Sequence, residues 1–599
     1  MQNPLEFYTK EKLFFQTELN KIKKTLNLSS ILRLVVFALI VFGIYFFFGN
    51  AQAMILTIFI GITIFLFLVS KHTNLQHKRD KLLALVRLNQ TEIDVLNNDK
   101  TELDLGSEYK NPQHEFSYDI DLFGAGSFFQ YINRTAIKSG KDKLAKILTE
   151  NTTNNIENKQ KALQELAKKP KWRQNFSATA SLVNVETKSA SIVKWLQNHK
   201  QLLPNIMKFL PIMFWAISLS LFVLKYFDMV GFGVIIAWFF VGLGVSGIYL
   251  KKVTFLYGNA THAKDTFKQY YQLLLQIEEE KFTSDILVEK QNLIKTENKK
   301  ASSIFNDFSK TLDALDQRNN IIFGIFGNAF ALWDLKQSYK IERWIKSNHH
   351  QVEKWFEVIA FFDAENSLAN YVFNHPKHSF ASINHEANLT IKAKQLGHPL
   401  LDEKKRIDND FIISNQEFFI ITGANMAGKS TFLRTVALSI VMTNIGLPVC
   451  AQTMEYSPIK LITSMRTSDS LTDDESYFFS ELKRLKFIVD AIQPPKNPSE
   501  DLNGNYFIIL DEILKGTNSK DKAIGSRKFV EKLVKSNSTG IIATHDLSLC
   551  EITKELPQVK NHYFDAEIID NELYFDYTFK KGICQNMNAS FLLKKMEIV

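Results

Sequence analysis

An α/β region at the C-terminus, preceded by an all-α region that two apolar helical hairpins interrupt, is the architecture this sequence predicts. Three observations predict it. From about residue 385 onward, short β-branched runs alternate with helical stretches, the pattern of a parallel sheet flanked by helices. Before that point, apolar residues recur at three- and four-residue steps among charges, as between Lys264 and Ile322. Four stretches, Leu34 to Phe48, Ala53 to Val69, Ile206 to Leu224 and Met229 to Leu250, approach the roughly 20 apolar residues that a bilayer-crossing helix needs.

The chain has 599 residues, enough for about three to five units. The apolar pattern divides it into a cytoplasmic helix at 1–30, a transmembrane hairpin at 31–70, a helical region at 71–205, a second transmembrane hairpin at 206–250, a second helical region at 251–384 and the α/β domain at 385–599. Few soluble helices are apolar on every face, which favours membrane spans over buried core helices. The first stretch is short unless Arg33 snorkels, and the last is the longest. Basic residues flank the outer ends of the hairpins: Lys21, Lys23, Lys24 and Arg33 before, Lys71, Lys78, Arg79 and Lys81 after, and Lys251 with Lys252 beyond the fourth stretch. Positive charge resists translocation, so a multi-pass inner or plasma membrane protein is expected, with its soluble parts in the cytoplasm. Ala51-Gln52-Ala53 resembles a signal-peptidase site, but a second apolar run follows at once and the polar lead is too long.

Composition excludes some classes. An apolar fraction of 45% argues for a folded chain. Three cysteines, Cys450, Cys550 and Cys584, without paired spacing, exclude a disulfide framework and a zinc site, and suit a reducing compartment. The net charge of +9 favours polyanions, either nucleic acid or acidic lipid. Lys168-Lys169-Pro170-Lys171 and the stretch from Lys392 to Arg406 are the candidate contacts for nucleic acid, against the plainer reading of solvated loops.

Three motifs in chain order carry the chemistry. Phe418 to Thr422 reads as a buried strand and runs into Gly423-Ala424-Asn425-Met426-Ala427-Gly428-Lys429-Ser430-Thr431, the pattern of a phosphate-binding P-loop. Gly423 and Gly428 let backbone N–H groups approach phosphate oxygens, and the helix that follows turns its positive end toward them. Lys429 suits the β and γ phosphates of ATP, and the Ser430 hydroxyl suits Mg²⁺. Tyr506-Phe-Ile-Ile-Leu510 then delivers Asp511 and Glu512: Asp511 for Mg²⁺, Glu512 as the general base toward water. Gly540-Ile-Ile-Ala-Thr544 ends at His545, placed to sense the γ phosphate. No small-molecule substrate beyond ATP is evident.

Together these residues resemble the MutS family of DNA mismatch repair ATPases, whose P-loop domain is ABC-like. Gly397-His398-Pro399 is similar to a short motif the family carries ahead of its P-loop, and Ala543-Thr544-His545 to its histidine loop. Gly516-Thr517-Asn518-Ser519 resembles its inter-subunit loop, and Ser476-Tyr-Phe-Phe-Ser-Glu481-Leu482 its signature segment. Weaker likeness covers Asp121 to Leu148 and Leu312 to Trp344, similar to the family's helical core and lever. The resemblance implies a homodimer joined through its ATPase domains, in which Ser476 reaches the partner's γ phosphate and Asn518 lies near the same interface. It also implies contact with double-stranded DNA. The apolar hairpins resemble a membrane-associated branch. There is no Phe-x-Glu wedge and no clamp insertion, so mismatch sensing itself is not expected. Little chain follows Ala589 to form the family's C-terminal dimerisation helices. The alternatives are an ABC-type transport ATPase, which should carry Leu-Ser-Gly-Gly-Gln where Ser476-Tyr-Phe-Phe-Ser stands, and a membrane organiser that uses ATP only to dimerise.

Overall fold

The structure, a computed structural model, describes residues 3–182, 189–295, 299–384, 388–466, 477–493, 506–569 and 572–585. Ser476 and the segment after Ala589 lie outside them.

Two helices, Pro4–Phe46 and Ala51–Leu96, open the chain as a long hairpin. The sequence reading divides this region at residues 30 and 70, yet each helix runs straight through. No glycine or proline stands at either boundary, so the hydrogen-bond ladder passes from the apolar to the polar half without a break. Small residues let the pair approach: a Cβ on Gly61 would sit 2.8 Å from Ile40 Cδ1, and one on Gly43 would sit 2.6 Å from Thr57 Cγ2. The polar feet of the hairpin dock on the helical region, where Tyr8 donates to Asn374 Oδ1 at 2.8 Å and Glu92 pairs with Arg134 at 2.5 Å.

The expectation of four spans is corrected. Among the described residues two helices, those of the first hairpin, are long and apolar enough to cross a membrane. The count rises to three if Phe232–Ile248 and Leu250–Glu279, bent 61° apart, are one span. Leu210–Tyr226 and Phe232–Ile248 have 17 residues each, about 25 Å of helix against roughly 30 Å of hydrocarbon. The stretch ending at Leu250 is thus not the longest helix. Tyr249, at φ −101° and ψ 2°, leaves helical geometry and ends it.

The helical region is built around Leu250–Glu279, Ala301–Asp316 and the 42-residue helix Trp333–Asn374. Their shared core is aromatic: Phe308 stacks on Trp344 at 3.8 Å, and Phe267 meets Phe305 edge-on at 4.8 Å. Asp363 of the long helix is buried and accepts the N–H groups of Ala136 and Ile137, so it caps the helix Lys138–Thr149 from outside. Gly140 is required there, because a Cβ would lie 2.0 Å from Asp363 Oδ2.

The C-terminal region holds two sheets. Strands β1 (Ser382–Ile383), β2 (Leu389–Leu396), β3 (Asn409–Ser414) and β5 (Thr453–Tyr456) form one, in the order β1-β5-β2-β3. The second contains β4 (Phe418–Gly423), β6 (Lys460–Ser464), β7 (Tyr506–Asp511), β8 (Thr539–Ala543), β9 (Val559–Phe564) and β12 (Lys580–Lys581), in the order β12-β9-β4-β8-β7-β6. All its pairings are parallel except β12 with β9. The central strands are buried on both faces, as near-continuous apolar runs such as Phe-Phe-Ile-Ile require. A hairpin of β10 (Glu567–Ile569) and β11 (Glu572–Tyr574) stands apart.

Candidate nucleotide site

Parallel register places the three motifs side by side. Strand β8 lies between β4 and β7, with Ala543 opposite both Ile421 and Asp511. The P-loop, Asp511-Glu512 and His545 therefore all leave the sheet at the carboxyl ends of adjacent strands, where ligands of α/β sheets bind. They line one cleft of about 640 Å³.

The P-loop backbone is held in geometry that glycine favours: Gly423 at φ 149° and Gly428 at φ 99°, with Met426 also left-handed at φ 67°. Gly423 faces β9 so closely that a Cβ would lie 2.5 Å from the Phe564 carbonyl. The helix Lys429–Asn444 follows directly, its free N–H groups and positive dipole end facing the cleft. Ala427 is buried under the loop and Ala424 half-buried against the core, whereas Asn425, Met426 and Thr431 are exposed on its surface.

Lys429 is buried, and its Nζ donates to the Gly423 and Ala424 carbonyls, both at 2.8 Å. Burial lowers its pKa, and the carboxylates of Glu512 and Asp511 pull it back up. The ammonium is thus folded against its own loop, ready to exchange two carbonyls for phosphate oxygens. Ser430 Oγ donates to Asp511 Oδ2 at 2.7 Å. Two hard oxygens at that separation suit neighbouring positions around Mg²⁺, which takes few protein oxygens and fills the rest with phosphate and water. His545 Nε2 lies 2.8 Å from Glu512 Oε1. That hydrogen bond, opposed by partial burial, holds Glu512 at about 2, far below the usual carboxylate range. Glu512 itself sits at φ 50°, a strained conformation for a non-glycine residue, immediately after the Glu512 N–H donates to the Ala543 carbonyl at 2.9 Å.

Asn518 does not face the cleft. It caps the helix Ser519–Lys535, accepting the Asp521 N–H at 2.9 Å, and remains exposed. Glu481 of the signature segment turns inward: it is buried and accepts the N–H groups of Leu514 at 2.5 Å and Lys515 at 3.0 Å. The helix Tyr477–Ala491 therefore grips the loop that follows Glu512.

Further residues line the cleft. His398 lines the cleft, and burial beside Arg434 and Arg406 lowers its pKa to about 4, so the imidazole is neutral. Its Nδ1 accepts the Leu400 N–H at 3.3 Å, which puts the proton on Nε2. Arg406, read as part of a basic stretch, instead pairs with Asp408 at 2.5 Å and lines the cleft with Lys405. Lys392 pairs with Glu455 at 2.6 Å on the other sheet, so the stretch does not form one basic patch. Tyr577 and Phe564 add aromatic surface at the cleft wall. Nothing in the local sequence around Tyr577 signals this; the chain's return beside β9 brings it there.

A second set of residues joins this domain to the helical region. Asp119 is buried and accepts Thr463 Oγ1 at 2.6 Å, the Met465 N–H at 3.1 Å and the Arg466 N–H at 2.9 Å. Asp121 pairs with Arg466 at 2.7 Å and lies 3.6 Å from Arg434 of the P-loop helix. Arg484 of the Tyr477–Ala491 helix donates to the Thr463 and Glu115 carbonyls at 2.8 and 2.5 Å.

A parallel sheet with a phosphate loop, a hydroxyl–carboxylate pair and a carboxylate–histidine pair at one edge defines a P-loop ATPase domain. Residues 419–595 match the family model of MutS domain V. The chain is 30% identical over 220 residues to MutS protein homolog 4 of Homo sapiens, a stretch covering 35% of this chain and 22% of that protein. It is 32% identical over 212 residues to the DNA mismatch repair protein MutS of Thermotoga maritima, covering 34% of this chain and 25% of the relative. With the MutS of Finegoldia magna the identity is 28% over 284 residues, 46% of this chain and 30% of the relative. Over residues 419–595 the chain is thus similar to the ATPase domain of the MutS family. Its matched part spans less than a third of the length of these relatives.

Proposed function

We propose that the chain is a membrane-anchored, Mg²⁺-dependent ATP hydrolase that works as an ATP-gated homodimer on double-stranded DNA. One observation supports the ATPase reading above the others: Ser430–Asp511 and Glu512–His545 converge in the cleft that the P-loop bounds. In this reading Lys429 and the loop N–H groups bind the phosphates. Ser430 and Asp511 hold Mg²⁺, which supplies charge neutralisation at the phosphates. Glu512, ionised and oriented by His545, accepts the proton of the attacking water. The exposed edge of the cleft is where a second copy closes, bringing Ser476 and Asn518 toward its partner's nucleotide. The apolar hairpin of Pro4–Phe46 and Ala51–Leu96 holds the protein in the membrane with the ATPase domain on the cytoplasmic side.

ATP turnover by the full-length protein in detergent micelles tests this. Glu512→Gln is expected to lower kcat by about 10²–10⁴ while keeping ATP binding and accumulating a nucleotide-bound dimer. Equal, near-zero rates for both proteins would replace hydrolysis with ATP-driven dimerisation alone. A salt titration of duplex binding tests the nucleic-acid part. Matched and mismatched duplexes should bind alike, and no binding at low salt removes DNA.

A further inference from the structure

The apolar surface does not end with the two predicted hairpins. Residues 321–331, Ile-Ile-Phe-Gly-Ile-Phe-Gly-Asn-Ala-Phe-Ala, form a separate helix between Ala301–Asp316 and the long helix Trp333–Asn374. The sequence reading absorbs this segment into the lever. Ile321 is 76% exposed, Ile322 71% and Phe326 54%, an unusual display for a helix without a single charge.

Its other face packs on the second apolar pair. Gly242 of Phe232–Ile248 lies so close that a Cβ would be 2.0 Å from the Ala329 carbonyl oxygen. Phe330 contacts Phe222 at 5.0 Å and Phe239 at 5.7 Å. Phe326, on the exposed face, also meets Phe239 at 5.8 Å, so this face adjoins the bare apolar surface of that pair, which includes Trp215 and Phe240.

The helix ends are satisfied from within, as hydrocarbon demands and water does not. Asn320 Oδ1 accepts the Phe323 N–H at 3.2 Å at the start. At the other end Ser218 Oγ, buried in the apolar pair, donates to the Phe330 carbonyl at 2.7 Å, and the Trp238 indole N–H donates to Ser218 Oγ at 2.8 Å. Eleven residues make about 16 Å of helix, half of a hydrocarbon core. The flanks are tied together: Arg318 before the helix pairs with Asp334 after it at 3.2 Å, both nearly buried. A half-span whose two polar flanks are held to each other within the protein does not cross the bilayer and must return to the side it came from.

We propose that Ile321–Ala331 is a re-entrant membrane element, seated in the lipid of the cytoplasmic leaflet against the second apolar pair. The inference rests on the membrane reading above and adds to it. The long helix begins two residues later and runs to His375 and the Ser379–Val449 bridge at the edge of the ATPase domain. The re-entrant element therefore couples that helix mechanically to the bilayer.

Single cysteines in the full-length protein in native membranes test this, with the unsubstituted protein giving the background from its buried native cysteines. A membrane-impermeant maleimide should label Lys268→Cys, an exposed helix position, at least an order of magnitude faster than Ile322→Cys or Ile60→Cys. A fluorophore placed at Ile322→Cys in detergent and reconstituted into vesicles should be quenched by nitroxide-bearing lipid. Fast labelling at Ile60→Cys would overturn the membrane reading itself. Fast labelling at Ile322→Cys with Ile60→Cys protected would overturn the re-entrant element alone. Protection at Ile322→Cys without lipid quenching would mean that protein covers this face, and would also overturn it.

Discussion

The nucleotide cleft and the apolar end of the helical region are built by opposite means. In the cleft, each functional group lies at the carboxyl end of a buried strand or within seven residues of it, and parallel register fixes their spacing to within a hydrogen bond. At the apolar end, position depends on contacts between segments far apart in sequence: Ser218 with Phe330, Gly242 with Ala329, Arg318 with Asp334. A short motif is therefore informative in the first region and nearly silent in the second. Between them lies a polar seam in which Asp119 and Asp121 tie the helical region to the ATPase domain; beside it, at the end of the long helix, His375 Nε2 lies 2.7 Å from the Tyr131 hydroxyl and His378 Nδ1 3.0 Å from the Tyr371 hydroxyl.

The largest effect is expected in the cleft. Lys429→Ala should abolish ATP binding measured by equilibrium titration, because no other cation among the described residues lies under the loop with both Nζ bonds spent on loop carbonyls. Stability should be little altered, since the lysine is buried at a cost that burial already expresses as a lowered pKa. Unchanged affinity would mean that the cleft does not bind phosphate, and the contrast between the two regions would lose its first term.

That contrast also explains what the sequence made legible. The P-loop, Asp511-Glu512 and His545 each announce themselves by an apolar strand ending in polar residues. Their mutual geometry follows from a parallel sheet whose strand order alone remained to be learned. Glu481 was visible as part of a signature segment, but its grip on the Leu514 and Lys515 N–H groups depends on how a helix folds back over the sheet. His398 was visible in a short motif, whereas Tyr577 and Arg406 became cleft residues only through long-range pairing. Composition revealed the apolar segments, yet it could not reveal that 321–331 leaves the helical core. Eleven apolar residues fit a core helix and a half-span equally well until neighbours are known.

The histidines beside the seam should make the folded state acid-sensitive. Burial above all lowers His375 and, at the cleft wall, His398 to about 4, and His378 to about 3, from an ordinary 6.5. The folded protein therefore holds these rings neutral where the unfolded chain protonates them. Their contribution is fully present above pH 6.5 and is lost as pH falls through the interval down to about 4. Thermal midpoints of the soluble signal, measured from pH 7.5 to 4.5, should fall steadily below 6.5. His375→Gln with His378→Gln should flatten that fall. A flat wild-type profile would show that these rings open to solvent without cost.

A smaller loss is expected from Asp119→Ala. Its carboxylate satisfies one hydroxyl and two backbone N–H groups just before the segment that leads to Ser476. Leaving those buried donors unpaired costs about 3 kcal/mol, read as a shift of the denaturation midpoint. Asp119→Asn should recover part of it by supplying an acceptor. If midpoints are unchanged but ATP no longer alters protease sensitivity of the helical region, the seam transmits closure without holding the domains together, which sharpens the distinction between the two regions.

The smallest effect concerns the basic cluster at residues 168–171. Its lysines lie on the helical region, where the comparison predicts that sequence pattern misleads. Lys169 donates to Glu280 at 2.6 Å and to the Lys281 carbonyl at 2.9 Å, and Lys171 lies 2.9 Å from Glu11 of the first helix. A lysine already paired with a carboxylate has little left for a phosphate, because each new contact must first break the old one. Lys169 and Glu280 are half-buried and Glu11 is buried, so Lys169→Ala with Lys171→Ala should lower stability by about 1–2 kcal/mol, less than Asp119→Ala. Duplex affinity should also keep its salt dependence. If the two lysines do contact phosphate, the slope of log K against log salt should instead weaken by about 0.9 for each contact removed. A slope change of nearly two would place DNA on this face and show that a charge run here carries as much function as a strand-end motif does in the cleft.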